Sequence, residues 1–153
     1  MTMENHDLEL AKLKLTEENL TLVIVKHGKV IFETRKQGIT GFLQAIDEQE
    51  KSLVGASAAD KIVGIAAATL CAYSGLVSIF ALTISEAGIR FLKNNNIACV
   101  FQRKVTNILN RNKTDVCPFE KLAMASGSPD IAYVKLKSLA EQMMKESLGA
   151  TKC

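Results

Sequence analysis

Cys117 stands immediately before Pro118, and proline favours the first position of a helix. A thiol at a helix start is drawn towards the thiolate. Arg111 and Lys113, just upstream, add positive charge. That is the setting of a nucleophile or a redox thiol, with a buried or merely capping cysteine as the plain alternative. A cysteine nucleophile normally needs a base, and neither His6 nor His27 is expected nearby. Asp60 follows Ser57 by three residues, which is nearly a capping box at a helix start. In a cleft its pKa would rise, making it a base or a carboxylate nucleophile. As a capping acid it would do no chemistry. Ser85 and Glu86 repeat the pattern of a hydroxyl cap followed by an acid in the first turn. Helix starts offer free N–H groups to phosphate or carboxylate, and open α/β sheets gather ligands at strand ends. The expectation is a nucleotide-like ligand held at Ser57, Asp60, Ser85 and Glu86. Asn110 and Arg111 could grip a phosphate or a ribose, or form only a turn.

These residues must be positioned by the stretch 55–86, which carries no charge between Lys61 and Glu86. Its length raises the question of a membrane span. Its composition breaks in the middle, however. Residues 62–73 are rich in alanine and favour a helix. Ser74-Gly75 stops it. Residues 76–84 carry Val77, Ile79, Phe80, Thr83 and Ile84 and favour a strand buried on both faces. Ser57 is therefore expected to cap a long helix feeding a central strand, with no membrane span.

Upstream, residues 4–15 read as a short helix. Residues 20–26 and 29–34 are the arms of a hairpin turning at His27-Gly28. Ile39, Phe42, Leu43 and Ile46 have helical spacing. Downstream come a helix at 86–93, a strand at 97–105, a polar loop, a helix from Pro118 and a last helix from residue 128, whose face is Ala132, Leu136, Leu139 and Met143. Residues 147–153 are expected to fray. The order α-ββ-α-α-β-α-β-α-α predicts a three-layer α/β/α domain with a mixed sheet. The boundaries are a lead-in at 1–19, one domain at 20–146 and the terminal residues 147–153.

Composition narrows the partners. The chain has 153 residues, a net charge of +3 and 48% hydrophobic residues. One domain of this size buries a full core without staples. No basic stripe with interleaved aromatics points to nucleic acid. The first residues do not resemble a secretory signal, so a cytoplasmic location with reduced thiols is expected. Cys71, Cys99, Cys117 and Cys153 form no Cys-x-x-Cys pair, and two histidines supply too few ligands for a zinc site.

The segments 22–38 (LVIVKHGKVIFETRKQG), 55–68 (GASAADKIVGIAAA), Ile84-Ser85-Glu86, Asn110-Arg111 and Cys117-Pro118-Phe119-Glu120 resemble the domain of unknown function 1893 family. That family is similar to a zinc-free branch of the cytidine deaminase-like superfamily. The resemblance implies a deaminase-like fold. Zinc deaminases of that fold open one helix with His-Ala-Glu and the next with Pro-Cys-x-x-Cys, holding zinc with His and Cys while the Glu shuttles protons. Laid on this chain, the first motif falls on Ala58-Ala59-Asp60, with Asp60 in the proton-shuttle place. The second falls near residues 85–88, where there is no Cys. Without zinc there is no metal-bound hydroxide, so a zinc-dependent deaminase is not expected. Two readings remain: a domain that binds a nucleotide or nucleoside-like ligand, or a non-catalytic accessory module with a protein partner or a second copy of itself.

Overall fold

A computed structural model describes residues 3–146; the expectation of fraying at 147–153 lies outside them. The elements in order are α1 (Met3–Glu17), β1 (Leu22–Lys26), β2 (Lys29–Thr34), α2 (Thr40–Gln49), a 3-10 turn (Glu50–Leu53), β3 (Ser57–Val63), α3 (Ile65–Ser74), β4 (Ser78–Ser85), α4 (Glu86–Asn94), β5 (Ala98–Val105), α5 (Pro118–Met124) and α6 (Pro129–Glu146). The strands form one sheet in the order β2-β1-β3-β4-β5. β1 runs antiparallel to β2 and β3, whereas β3, β4 and β5 are mutually parallel. The result is the expected three-layer α/β/α architecture with a mixed sheet.

The hairpin turns at His27 and Gly28, both at positive φ (53° and 78°). This is the backbone that a two-residue turn needs to match strand twist. Asp7 of α1, only 3% exposed, accepts the N–H groups of His27 and Gly28 at 3.0 and 2.8 Å. A side chain far upstream thus fixes the turn and docks α1 on one face of the sheet. Leu8, Ala11 and Leu15 pack there against Val23, Val25, Ala59 and Phe80. On the opposite face, the larger core joins Leu22, Ile24, Ala58, Ile79, Ala81 and Ile84 of the sheet to residues of α2 through α6. Among the described residues no helix is long and apolar enough to cross a membrane.

One element departs from the sequence expectation. Residues 57–63 form strand β3, not the first turns of a helix; the helix begins only at Ile65. Alanine favours a helix, but Ala58 and Ala59 are both completely buried, one on each face of the sheet. Their small side chains let layers approach from both sides, and tertiary packing overrides propensity. The Gly75 helix stop was read correctly, with φ at 81°.

Candidate functional site

Moving the helix start from Ser57 to Ile65 rearranges the expected site. Ser57 is a fully buried strand residue whose hydroxyl accepts from Ser78 Oγ at 2.6 Å. It pairs in register with Ser78, at the start of β4, whereas Ser85 ends β4. Seven residues of strand separate the two, about 23 Å. The expected convergence of Ser57 with Ser85 is therefore corrected: they lie at opposite ends of the sheet. Ser85 does cap α4, accepting the Gly88 N–H at 3.0 Å, and Glu86 occupies that helix's first turn.

Asp60 and Cys117 are brought together. Both line a cavity of about 250 Å³, bounded also by Thr21, Gln37, Gly38, Ile39, Gly64 and Glu120. None of Ser57, Ser85, Glu86, Asn110 or Arg111 lines it. Asp60 lies in the middle of β3, paired with Leu22 on one side and Ala81 on the other. Its Oδ1 accepts the Ile62 N–H at 3.2 Å, and among the described residues it makes no ion pair. Burial raises its pKa from 3.8 to about 7, against the opposing pull of the Ile62 and Lys61 amides. It is therefore poised between acid and carboxylate at neutral pH.

Glu120 is the cavity residue that sequence reasoning missed. It is 4% exposed, and its Oε1 and Oε2 accept the N–H groups of Ile65 and Ala66, each at 2.8 Å. A carboxylate from α5 thus fills the N-terminus of α3, which has no capping side chain of its own. Such charge-assisted bonds each contribute about 1.5–3 kcal/mol. Burial raises the Glu120 pKa, and the two amides oppose that shift. The approach requires Gly64, where an added Cβ would lie 1.9 Å from Glu120 Oε1. The signal was present in the sequence, as a glycine before an alanine-rich helix and an acid in the first turn of α5. Their meeting was not, because 55 residues separate Ile65 from Glu120.

The thiols divide differently from expectation. Cys117 is buried and forms a disulfide, so it contributes wall rather than thiolate to the cavity. Burial raises the pKa of Cys71 well above 9.0, and the nearby Asp60 charge raises it further; burial does the same to Cys99. Neither has the lowered pKa of a reactive thiol.

A wider, shallower basin of about 860 Å³ adjoins the cavity. Gln37, Ile62 and Ile108 line both. Arg103, Asn110, Arg111 and Lys113 line the basin. Asn110 uses its side chain within the loop, its Oδ1 accepting the Thr114 N–H at 3.0 Å. That is the turn role weighed for it from the sequence. Arg111 is exposed at the rim.

The chain matches the model of the family described as Domain of unknown function (DUF1893) over residues 10–139. The protein belongs to that family. It is similar to a DUF1893 family protein from Thermotoga maritima, at 24% identity and a TM-score of 0.81, with 90% of this chain and 92% of that chain covered. It has a weaker likeness to RibD of Acinetobacter baumannii, with 20% identity, a TM-score of 0.46 and coverage of 65% of this chain and 34% of that one. The likeness to dCMP deaminase from the cyanophage S-TIM5 is of the same order, with 11% identity, a TM-score of 0.45 and coverage of 69% and 100%. Neither architecture nor activity is carried from these partial likenesses. A search of curated proteins returns no match.

The motif placement drawn from the resemblance also moves. With β3 a strand, Ala58-Ala59-Asp60 stands inside the sheet and opens no helix. The helix starts beside the cavity are those of α2, after Gln37-Gly38-Ile39, of α3, at Gly64-Ile65-Ala66-Ala67, and of α5, at Cys117. The first two segments contain no His or Cys, and Cys117 is in a disulfide. Among the described residues, no group of three or more His, Cys, Asp or Glu side chains is placed to hold a metal ion.

Proposed function

We propose that this protein binds a nucleotide or nucleoside-like small molecule, with the heterocycle seated in the Asp60 cavity. The observation that carries the reading is Asp60 itself: a desolvated carboxyl, without an ion-pair partner among the described residues, on the wall of a cavity. Burying such a group costs stability unless something compensates. A ligand presenting two adjacent N–H donors, such as the edge of an aminopyrimidine or a purine, would satisfy both carboxylate oxygens. The lead-in to α2 lines the same cavity, and α2 has no capping side chain. Ser85 and Glu86 take no part in this reading.

The test is a thermal-shift screen of nucleobases, nucleosides and nucleotides. Wild-type protein should gain several degrees with a cognate ligand, and Asp60→Asn should lose that gain. No shift with any compound would end the reading. The alternative of a non-catalytic accessory module draws on the open edge strand β5, where Val100 is 48% and Phe101 41% exposed. Such a module has no use for a cavity-lining carboxyl without an ion-pair partner among the described residues, which favours the ligand reading.

A further inference from the structure

The starts of α3 and α4 are poor anion sites, because each is already filled from within. Glu120 takes the Ile65 and Ala66 amides of α3. Ser85 takes the Gly88 amide of α4, with Glu86 adding negative charge there. An anionic part of a ligand is better met by side chains than at these two starts. The adjoining basin supplies them: Arg103, Arg111 and Lys113 line it, and none of its lining residues is acidic. None of the three forms an ion pair among the described residues. Arg103 is held on a rigid element, since Ile62, Thr83 and Arg103 form a row in register across β3, β4 and β5. Asp60 begins the neighbouring row, two residues back, with Ala81 and Phe101. Two strand spacings and two residues put the Asp60 and Arg103 Cα atoms about 12 Å apart.

We infer that the ligand is phosphorylated and lies in one direction, its heterocycle at Asp60 and its phosphate in the Arg103, Arg111 and Lys113 basin. The inference rests on the Asp60 reading above and adds the anionic end. A base joined through a pentose to a 5′-phosphate spans the two regions, with Ile62, shared by both, beneath the sugar. Guanidinium groups suit the phosphate, since their N–H forks match its oxygens in pairs. The small volume of the inner cavity, about 250 Å³, favours a single nucleotide over a nucleic acid chain.

Calorimetric titration with matched pairs tests this: cytidine and CMP, uridine and UMP, adenosine and AMP, guanosine and GMP. For the cognate base, wild-type protein should bind the monophosphate at least about ten-fold tighter than the nucleoside. The advantage should shrink as salt rises. Arg103→Gln and Arg111→Gln, both at exposed positions, should remove most of it and leave nucleoside affinity unchanged, while Asp60→Asn weakens both ligands. Nucleosides that bind as tightly as their monophosphates, in an Asp60-dependent way, would overturn this inference and leave the Asp60 reading standing. Monophosphate binding that depends on the arginines and ignores Asp60→Asn would overturn the Asp60 reading and support the basin. No binding by any pair, or tighter binding of a single-stranded RNA ten-mer than of every mononucleotide, would overturn the inference.

Discussion

Asp60 works against the stability of its own fold. Its pKa is raised from 3.8 to about 7 in the folded protein, so between those values the native state holds a proton that the unfolded chain has lost. Stability therefore falls as pH rises through that window and levels off above it. At about 1.4 kcal/mol per unit, the loss has an upper bound between about 4 and 5 kcal/mol, reduced because water entering the cavity screens the charge. Asp60→Asn keeps the shape and removes the titration. In urea unfolding, the variant should match wild type near pH 3 and exceed it by about 2–4 kcal/mol near pH 8. Equal stabilities at both pH values would mean that the carboxyl is solvated like any surface acid. Glu120, shifted in the same direction, should leave a residual slope in the variant. The sequence made Asp60 a candidate through a capping box that does not exist. The resemblance also placed it in a proton-shuttle position at a helix start, and residues 57–63 are a strand: its environment comes from β1, β4 and the cavity, and no local pattern encodes them.

At the scale of elements, the α3 start is a joint between two parts distant in sequence. Gly64 leaves the space, Glu120 fills it and the first amides of α3 close it. Gly64→Ala should cost about 1–3 kcal/mol by displacing the carboxylate, and Glu120→Ala about 3–6 kcal/mol by removing both charge-assisted bonds. The double variant should cost clearly less than the sum, because the added methyl then occupies vacated space. A denaturation cycle that came out additive would show that the two positions do not share one contact. The hairpin, α2 and the Pro118 and Pro129 helix starts were legible in the sequence, since each rests on local turn chemistry or periodicity. β3 was not. Ala58 and Ala59 carry a helical preference, and what makes them a strand is α1 on one face and α3 on the other.

Across the whole molecule, the sheet sorts its two faces into unequal tasks. One side needs only α1, with Asp7 holding the hairpin turn, and carries no candidate chemistry. The other gathers α2 through α6 and leaves a cavity where the starts of α2, α3 and α5 meet. The fold class was readable from the alternation of helix and strand. The site was readable only in pieces, because its walls come from four separate parts of the chain, at Thr21, at Gln37 to Ile39, between Asp60 and Ala67, and at Ile108, Cys117, Phe119 and Glu120, and only the folded sheet brings these together. Glu120 gives this arrangement a temporal meaning. The third helix is completed by a side chain 55 residues further along, so a chain emerging from its N-terminus holds α3 with bare amides until α5 exists. Long-range contacts of this kind tend to form late, so the closure should follow the rate-limiting step of folding. Stopped-flow kinetics should then show Glu120→Ala accelerating unfolding while refolding keeps its wild-type rate. A slowed refolding arm would instead place the closure in the nucleus. The cavity, in that sequence of events, is the last part of the protein to come into being.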